Sequence, residues 1–332
     1  MAVGERQPIS EGADVRLAAD AAPRGGRAAA RPMALAPNRL ERFYSRERRI
    51  DELRGHPVNA SGGPEDWVGS TTSSFGDHSE GLSRLADGRV LCQVIGSDPV
   101  GFLAAEHVAG LGASPALLVK PLDAGERLPV HFHPGRAFAR ETLGLSFGKT
   151  EAWITVTADA DAVVHLGLGT SVPASTVARW VCEQDVAAML SAMREASVSA
   201  GQVFFVPAGT LHAVGAGILL VELPEPTDLS VLLEWRRFGA SSGVEHLRLG
   251  CERALAALDL SATTPERLLV RASDAAPADQ VRKLLSEVAA PYFPAQRIVT
   301  GGGTVQLDQS FAIIVVLDRC LQPAADAEVG EW

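Results

Sequence analysis

With 332 residues, 46% of them hydrophobic and 21% charged, the chain has the composition of folded proteins and enough length for roughly two domains with cores of their own. Forty acidic against thirty basic side chains leave a net charge of −10, which argues against nucleic acid or an anionic membrane as partner and points to small molecules. The longest uninterrupted apolar run, residues 311–317, is seven residues, far below the roughly 20 that span a bilayer, so no membrane association is expected.

Residues 1–32 are rich in Ala, Arg and Gly and hold no aromatic residue, so they have little to bury. They are expected to be a disordered extension, with Met33 as the expected start and an Ala- and Arg-rich targeting peptide as the alternative. The segment PNRLERFYSRERRIDELRG (37–55) alternates apolar and charged groups and opens a first folded element, while PEDWVGSTTSSFG (64–76) reads as loop with an aromatic anchor. Helical spacing over 90–115 gives way to ALLVKP (116–121), a buried strand whose single lysine needs a reason. From 152 onward, short β-rich runs recur between Gly, Pro and Asp turns: AWITVTA, AVVHLGL, QVFFVPA and ILLVEL. That rhythm is one of a sandwich or barrel, interrupted at 174–198 by one inserted helix or two short ones. Residues 244–290 read as mainly helical, and 291–317 return to strands in RIVT, TVQL and SFAIIVVL. Cys92, Cys182, Cys251 and Cys320 are scattered without a CxxC pair, which fits a reducing cytoplasm and signals neither disulfides nor a zinc–thiolate site.

Chemistry concentrates in two segments. GERLPVHFH (125–133) ends in His-x-His, and on a strand residues i and i+2 share a face, so His131 and His133 can reach one metal ion. GQVFFVPAGTLH (201–212) runs a strand into a Pro-x-Gly turn that aims His212 inward. Between them, GKTEAW (148–153) puts Glu151 at the start of another strand. Three imidazoles and a carboxylate are a sound ligand set for a divalent transition metal. His56, His78, His107, His165 and His246 belong to no such pattern and read as structural or exposed.

The two segments match the two motifs of the cupin superfamily, so the chain resembles a metal-binding double-stranded β-helix barrel. Most cupins place the glutamate three or four residues after His-x-His, where this chain has Ala137 and Phe138. Its delay into GKTEAW is similar to the type I phosphomannose isomerases, as are LLVKPLDAGERLPVHFHP (117–134), DWVGS (66–70) and LVELPEPTD (220–228). The resemblance is convincing over about residues 64–235 and weak beyond. It implies a mainly β jelly roll with inserted helices, organised as a metal-binding cupin domain over 33–238, a helical segment over 239–290 and a partial second β unit over 291–332. It implies His131, in place of the family's Gln, with His133, Glu151 and His212 as ligands of one divalent transition metal, zinc first among the candidates. Lys120 and Lys149 match pocket lysines, Glu222 matches an acidic position suited to a base, and Trp67, Ser70 and Asp228 fall on substrate-binding segments. The implied reaction is the interconversion of mannose 6-phosphate and fructose 6-phosphate, or of a related sugar, through an enediol.

Departures bear on the substrate. The family's arginine about ten residues after that glutamate falls here on Val231, Leu232 and Leu233, with Arg236 and Arg237 as the nearest substitutes, and Pro129 replaces a serine. Both changes remove partners for a phosphate dianion, leaving a neutral aldose or ketose, or a differently held sugar phosphate, open. The polar, Ala-rich end after residue 317 suggests a truncated second barrel whose apolar edge is either covered by another chain, as in a homo-oligomer, or leaves the domain poorly stable. The competing expectations are a cupin oxygenase using the same metal site and a sugar-binding cupin without turnover.

Overall fold

The computed structural model describes residues 33–55, 62–239, 244–270 and 281–299, together with 305, 307 and 310–317. The expectations for residues 1–32, for half of TVQL and for 318–332 lie outside the described residues. The strands, in chain order, are β1 (Arg39–Leu40), β2 (Glu65–Asp66), β3 (Lys120–Ala124), β4 (His131–Phe132), β5 (Glu151–Ala158), β6 (Val163–Leu168) and β7 (Met193–Ser197). They continue as β8 (Val203–Val206), β9 (His212–Val214), β10 (Ile218–Pro224), β11 (Val231–Leu232), β12 (Leu269–Val270), β13 (Val281–Lys283) and β14 (Gln296–Ile298). One antiparallel sheet has the order β1-β2-β3-β10-β5-β8-β12 and a second the order β11-β4-β9-β6-β7. From β3 to β6, and again from β8 to β11, successive strands alternate between the two sheets, which is the path of a jelly roll.

Side-chain alternation along each strand divides the apolar residues among three cores. Leu122 of β3, Trp153 of β5, Leu166 of β6, Phe204 of β8, Val214 of β9 and Leu220 of β10 meet between the sheets. The intervening residues of the first sheet, Ala152, Phe205, Val221 and Leu223, face outward onto Ala289 and Phe293. Those of the second sheet, Phe132, Ala213 and Val231, are covered by the helices Ala174–Glu183 and Val186–Ala192, which present Val177, Trp180 and Met189 at helical spacing. With both faces of both sheets buried, the strands are held firmly enough to position side chains at the barrel end.

Several sequence-based expectations need correction. Of the two alternatives for 174–198, two short helices are what forms: the pattern splits at Gln184, whose backbone is left-handed, and the second helix is capped by Asp185 accepting from the Ala188 N–H at 3.0 Å. Its end, Met193–Ser197, is strand, because it completes the hydrogen bonds of the otherwise open edge of β6. ALLVKP is buried, but the strand itself is Lys120–Ala124. Residues 244–290 are not mainly helical among the described residues. They hold the short helices Cys251–Leu255 and Pro265–Leu268, with Gly250 and Pro265 breaking the run, while Leu247, Ala254 and Leu258 plug the outer face of the second sheet. Of the expected C-terminal strands, Gln296–Ile298 pairs with Val281–Lys283, whereas 310–317 has no ladder partner among the described residues and lays Ile313 and Val315 over the first sheet. Among the described residues no helix is long and apolar enough to cross a membrane.

Met189 is fully buried under the second sheet. Its replacement by Ala should cost about 2–5 kcal/mol, read as a lower denaturant midpoint with unchanged slope.

Candidate active site

Toward one end of the barrel the inward positions turn from apolar to ionisable. β10 reaches Glu222 two residues beyond Leu220, opposite Lys120 at the start of β3, and β5 opens with Glu151 two residues before Trp153. His131 of β4 stands opposite His212 of β9 on one side and Leu232 of β11 on the other, so all three share a face. Two glycines make these approaches possible. A Cβ on Gly148 would lie 2.6 Å from backbone atoms of Pro134, Gly135 and Arg136, which fastens the GKTEAW entry against the segment that follows His133. Gly209, at φ +87°, turns the chain so that its N–H reaches the His133 carbonyl at 2.7 Å and His212 follows on the next strand. Glu225, fully buried, adds a clamp by accepting from the Thr150 N–H at 2.9 Å and from the Arg136 guanidinium.

The three imidazoles are oriented alike. Each Nδ1 faces a backbone carbonyl: Pro129 for His131 at 2.8 Å, Leu229 for His133 at 2.7 Å and Thr210 for His212 at 2.8 Å. Since a carbonyl only accepts, each Nδ1 carries the hydrogen and each Nε2 presents its lone pair toward the others, that of His133 facing the Lys149 ammonium at 2.8 Å. One potential ligand atom from each ring lies within 4.8 Å of the others. Burial, then the neighbouring imidazoles, pushes His131 well below the usual histidine range, burial and the Lys149 charge lower His133, and burial takes His212 down to about 3. Neutral imidazole is the form that binds metals. The His212 Nε2 is buried without a hydrogen-bond partner among the described residues, a cost that an ion would remove. The donor set therefore fits a divalent transition metal, with Glu151 as the adjacent carboxylate, 3.1 Å from the His133 Nε2 and 3.5 Å from that of His212.

Beyond the imidazoles, opposite charges alternate in a chain. Lys149 Nζ lies 2.7 Å from Glu151, 2.8 Å from Glu222 and 2.8 Å from the His133 Nε2. Glu222 also meets Lys120 at 3.0 Å, Lys120 meets Glu65 at 3.3 Å, and Glu65 accepts from Arg42 at 2.8 Å, from Trp67 at 2.9 Å and from the Tyr44 hydroxyl. Arg42 ends the chain against Asp228 at 3.5 Å. Although burial opposes ionisation, Lys149 and then His133 hold Glu151 well below the carboxylate range. Arg42 and Lys120 likewise hold Glu65 down against its burial. Glu222 goes the other way: burial and the Glu151 charge raise it, and the two ammoniums only partly compensate. A carboxyl raised toward neutrality beside ammonium donors is suited to exchanging a proton with a bound molecule.

The chain's relatives carry the same fold. A mannose-6-phosphate isomerase of Streptococcus mutans is 30% identical over 209 residues, 60% of this chain and 59% of that protein. The crystal structure of the mannose 6-phosphate isomerase from Bacillus subtilis superposes with a TM-score of 0.61 over 80% of this chain and 79% of that one, at 20% identity. A mannose 6-phosphate isomerase bound with zinc and yttrium superposes at 0.53 and 12% identity, over 76% of this chain and 80% of that one. The chain is similar to mannose-6-phosphate isomerases over about three-fifths of its length. It spans about three-fifths of the length of the curated relatives it matches. No family model matches it.

Against that family's pattern, the structure brings His131, His133, Glu151, His212, Lys120, Lys149 and Glu222 into one cluster and sets Asp228 at its outer edge. Trp67 and Ser70 are a correction. Both are fully buried in the wall, with the Trp67 N–H spent on Glu65 and the Ser70 hydroxyl spent on Thr72, so neither has a polar atom left for a sugar. Arg236 and Arg237 do not replace the family's arginine: both are exposed, Arg236 over the Trp235 ring and Arg237 on Glu126. Arg42, Tyr44, Glu65 and Glu225 were missed by sequence reasoning. Arg42 and Tyr44 sit in the charge-rich segment 37–55, where nothing separates a buried arginine from its solvated neighbours.

His212→Ala removes a donor whose Nε2 has no other partner and should abolish stoichiometric zinc binding, while the folded baseline by circular dichroism persists. Metal analysis after dialysis checks it.

Proposed function

We propose that this protein is a metal-dependent aldose–ketose isomerase of the cytoplasm, acting on mannose 6-phosphate and fructose 6-phosphate or a related sugar. The observation that carries the reading is Glu222, fixed between the ammoniums of Lys149 at 2.8 Å and Lys120 at 3.0 Å, with Lys149 in turn touching His133 and Glu151. His131, His133, His212 and Glu151 would hold a divalent ion such as zinc, which would supply Lewis-acid polarisation of the sugar's carbonyl and hydroxyl oxygens. Glu222 takes the C2 proton of the open-chain aldose, the C–H electron pair becomes the C1–C2 double bond and the C1 carbonyl pair moves onto O1. The same carboxyl returns the proton to C1 as the O2 proton passes to O1 and the ketose carbonyl forms at C2. Lys149 and Lys120, both buried, donate hydrogen bonds to oxygens on which negative charge develops. Four carboxylates lying among cations give the hydroxyls of the remaining carbons acceptors to choose from.

A cupin oxygenase built on the same ligands needs no ammonium beside them. Lys149 hydrogen-bonded among Glu151, His133 and Glu222 therefore favours the isomerase.

Glu222→Gln keeps the shape and removes the base. Zinc content should match that of the unaltered protein while isomerisation falls roughly 10²–10⁴-fold; retained turnover, followed by an enzyme-coupled assay, would reassign the proton carrier.

A further inference from the structure

We infer that Arg136 is a positioning residue for the metal site, held in that role by Tyr292 of the segment 287–293; the inference rests on the metal-binding reading of the histidine cluster and not on the reaction assigned to it. Lys149 and Glu151 face the histidines, so Thr150 between them faces the other way, out of the barrel. On that outer side the fully buried Glu225 holds Thr150 twice. Its carboxylate accepts from the Thr150 N–H at 2.9 Å, and its own N–H donates to the Thr150 carbonyl at 3.0 Å. Among the described residues Arg136 is the one cation that meets the Glu225 carboxylate, and its side chain is still 36% exposed. A long, partly solvated side chain keeps one geometry only at a cost in rotamer entropy. Two aromatic rings offset that cost: the guanidinium carbon lies 4.7 Å from the centroid of the Tyr292 ring and 6.0 Å from that of Phe147. The Tyr292 ring is itself fixed, 6.0 Å from Phe205 of β8 and 6.3 Å from Phe293, which is buried on the outer face of the first sheet.

The route from this outer segment to the metal donors is therefore contiguous: Tyr292, Arg136, Glu225, Thr150, and then Glu151 and Lys149 on either side. Without Arg136 the Glu225 charge is left buried and unpaired, and the carboxylate must take up a proton or admit water. Either change loosens its hold on Thr150. Glu151 is one residue further on, 3.1 Å from the His133 Nε2 and 3.5 Å from that of His212, so a backbone shift at Thr150 alters the spacing of the donors directly. Metal affinity is sensitive to contacts of this outer kind, by about 10–100-fold.

The test measures zinc affinity of the full chain by competition with a chromophoric chelator, together with amide hydrogen exchange of residues 148–153 in the metal-free chain. Arg136→Met should weaken zinc binding at least about tenfold. Tyr292→Leu, which keeps apolar cover on Phe205 without the ring, should weaken it at least about threefold. Both should speed exchange at 148–153. Arg136→Lys keeps a cation on Glu225 and should stay within about threefold of the unaltered chain. Met189→Ala opens a void under the other sheet and should leave both readouts unchanged. A loss below either threshold, or unchanged exchange at 148–153, overturns the inference, as does equal weakening by Met189→Ala, which would mark a general loss of stability. If Arg136→Met does not fold, Tyr292→Leu decides. An unaltered chain that binds no zinc sinks the metal reading instead, and exchange at 148–153 then decides whether Arg136 fixes this segment.

Discussion

Seven ionisable side chains inside one end of a barrel face a single constraint: a charge taken out of water must meet an opposite charge or several hydrogen bonds. The order Asp228, Arg42, Glu65, Lys120, Glu222, Lys149, Glu151 meets it by strict alternation of sign. No member can be removed without leaving its neighbours exposed to that penalty, so the chain is rigid by electrostatics as well as by packing. It also sets unequal proton affinities. Glu65 and Glu151 lie next to the strongest opposing charges and stay ionised, while Glu222, sharing its space with Glu151, is raised.

The scaffold that presents this chain is apolar on three levels. The core between the sheets, from Leu122 to Leu220, ends where the inward positions become Lys120, Glu222 and Glu151, and the Trp153 ring, 5.3 Å from that of His212, forms the floor between the two regions. The outer cores keep the strands from shearing, and Glu225 ties the exit of β10 to the entry of β5 through Thr150. Register then does the rest. Pairings such as Glu222 with Lys120 and His131 with His212 follow from the ladders, and a slip of one residue would turn every functional side chain out of the barrel.

The histidines, Glu151 and Lys120 were legible because strand alternation and turn chemistry are local rules, and a polar residue in an apolar strand stands out against them, whereas Lys149 and Glu222 were singled out through the family resemblance. Lys120 shows this best: a lysine in ALLVKP requires a buried partner, and it has two. The inserted region and the stretch 244–290 were read less well, because helical spacing of apolar residues also results when short segments plug the face of a sheet. Trp67 and Ser70 lie in a segment with the right letters, yet their polar atoms close hydrogen bonds within the wall.

The sequence by itself determined the alternating strands and the cluster of three histidines, since each depends on residue types at fixed short spacing. Only the tertiary structure decided which charges neutralise which. Arg42 and Asp228 are 186 residues apart and meet through the sheet, and no local pattern announces that Arg42 is spent on Glu65 and Asp228 rather than free for a ligand. Charge balance is a property of the assembled site, because Coulomb interactions depend on distance in space and on burial, neither of which is written along the chain.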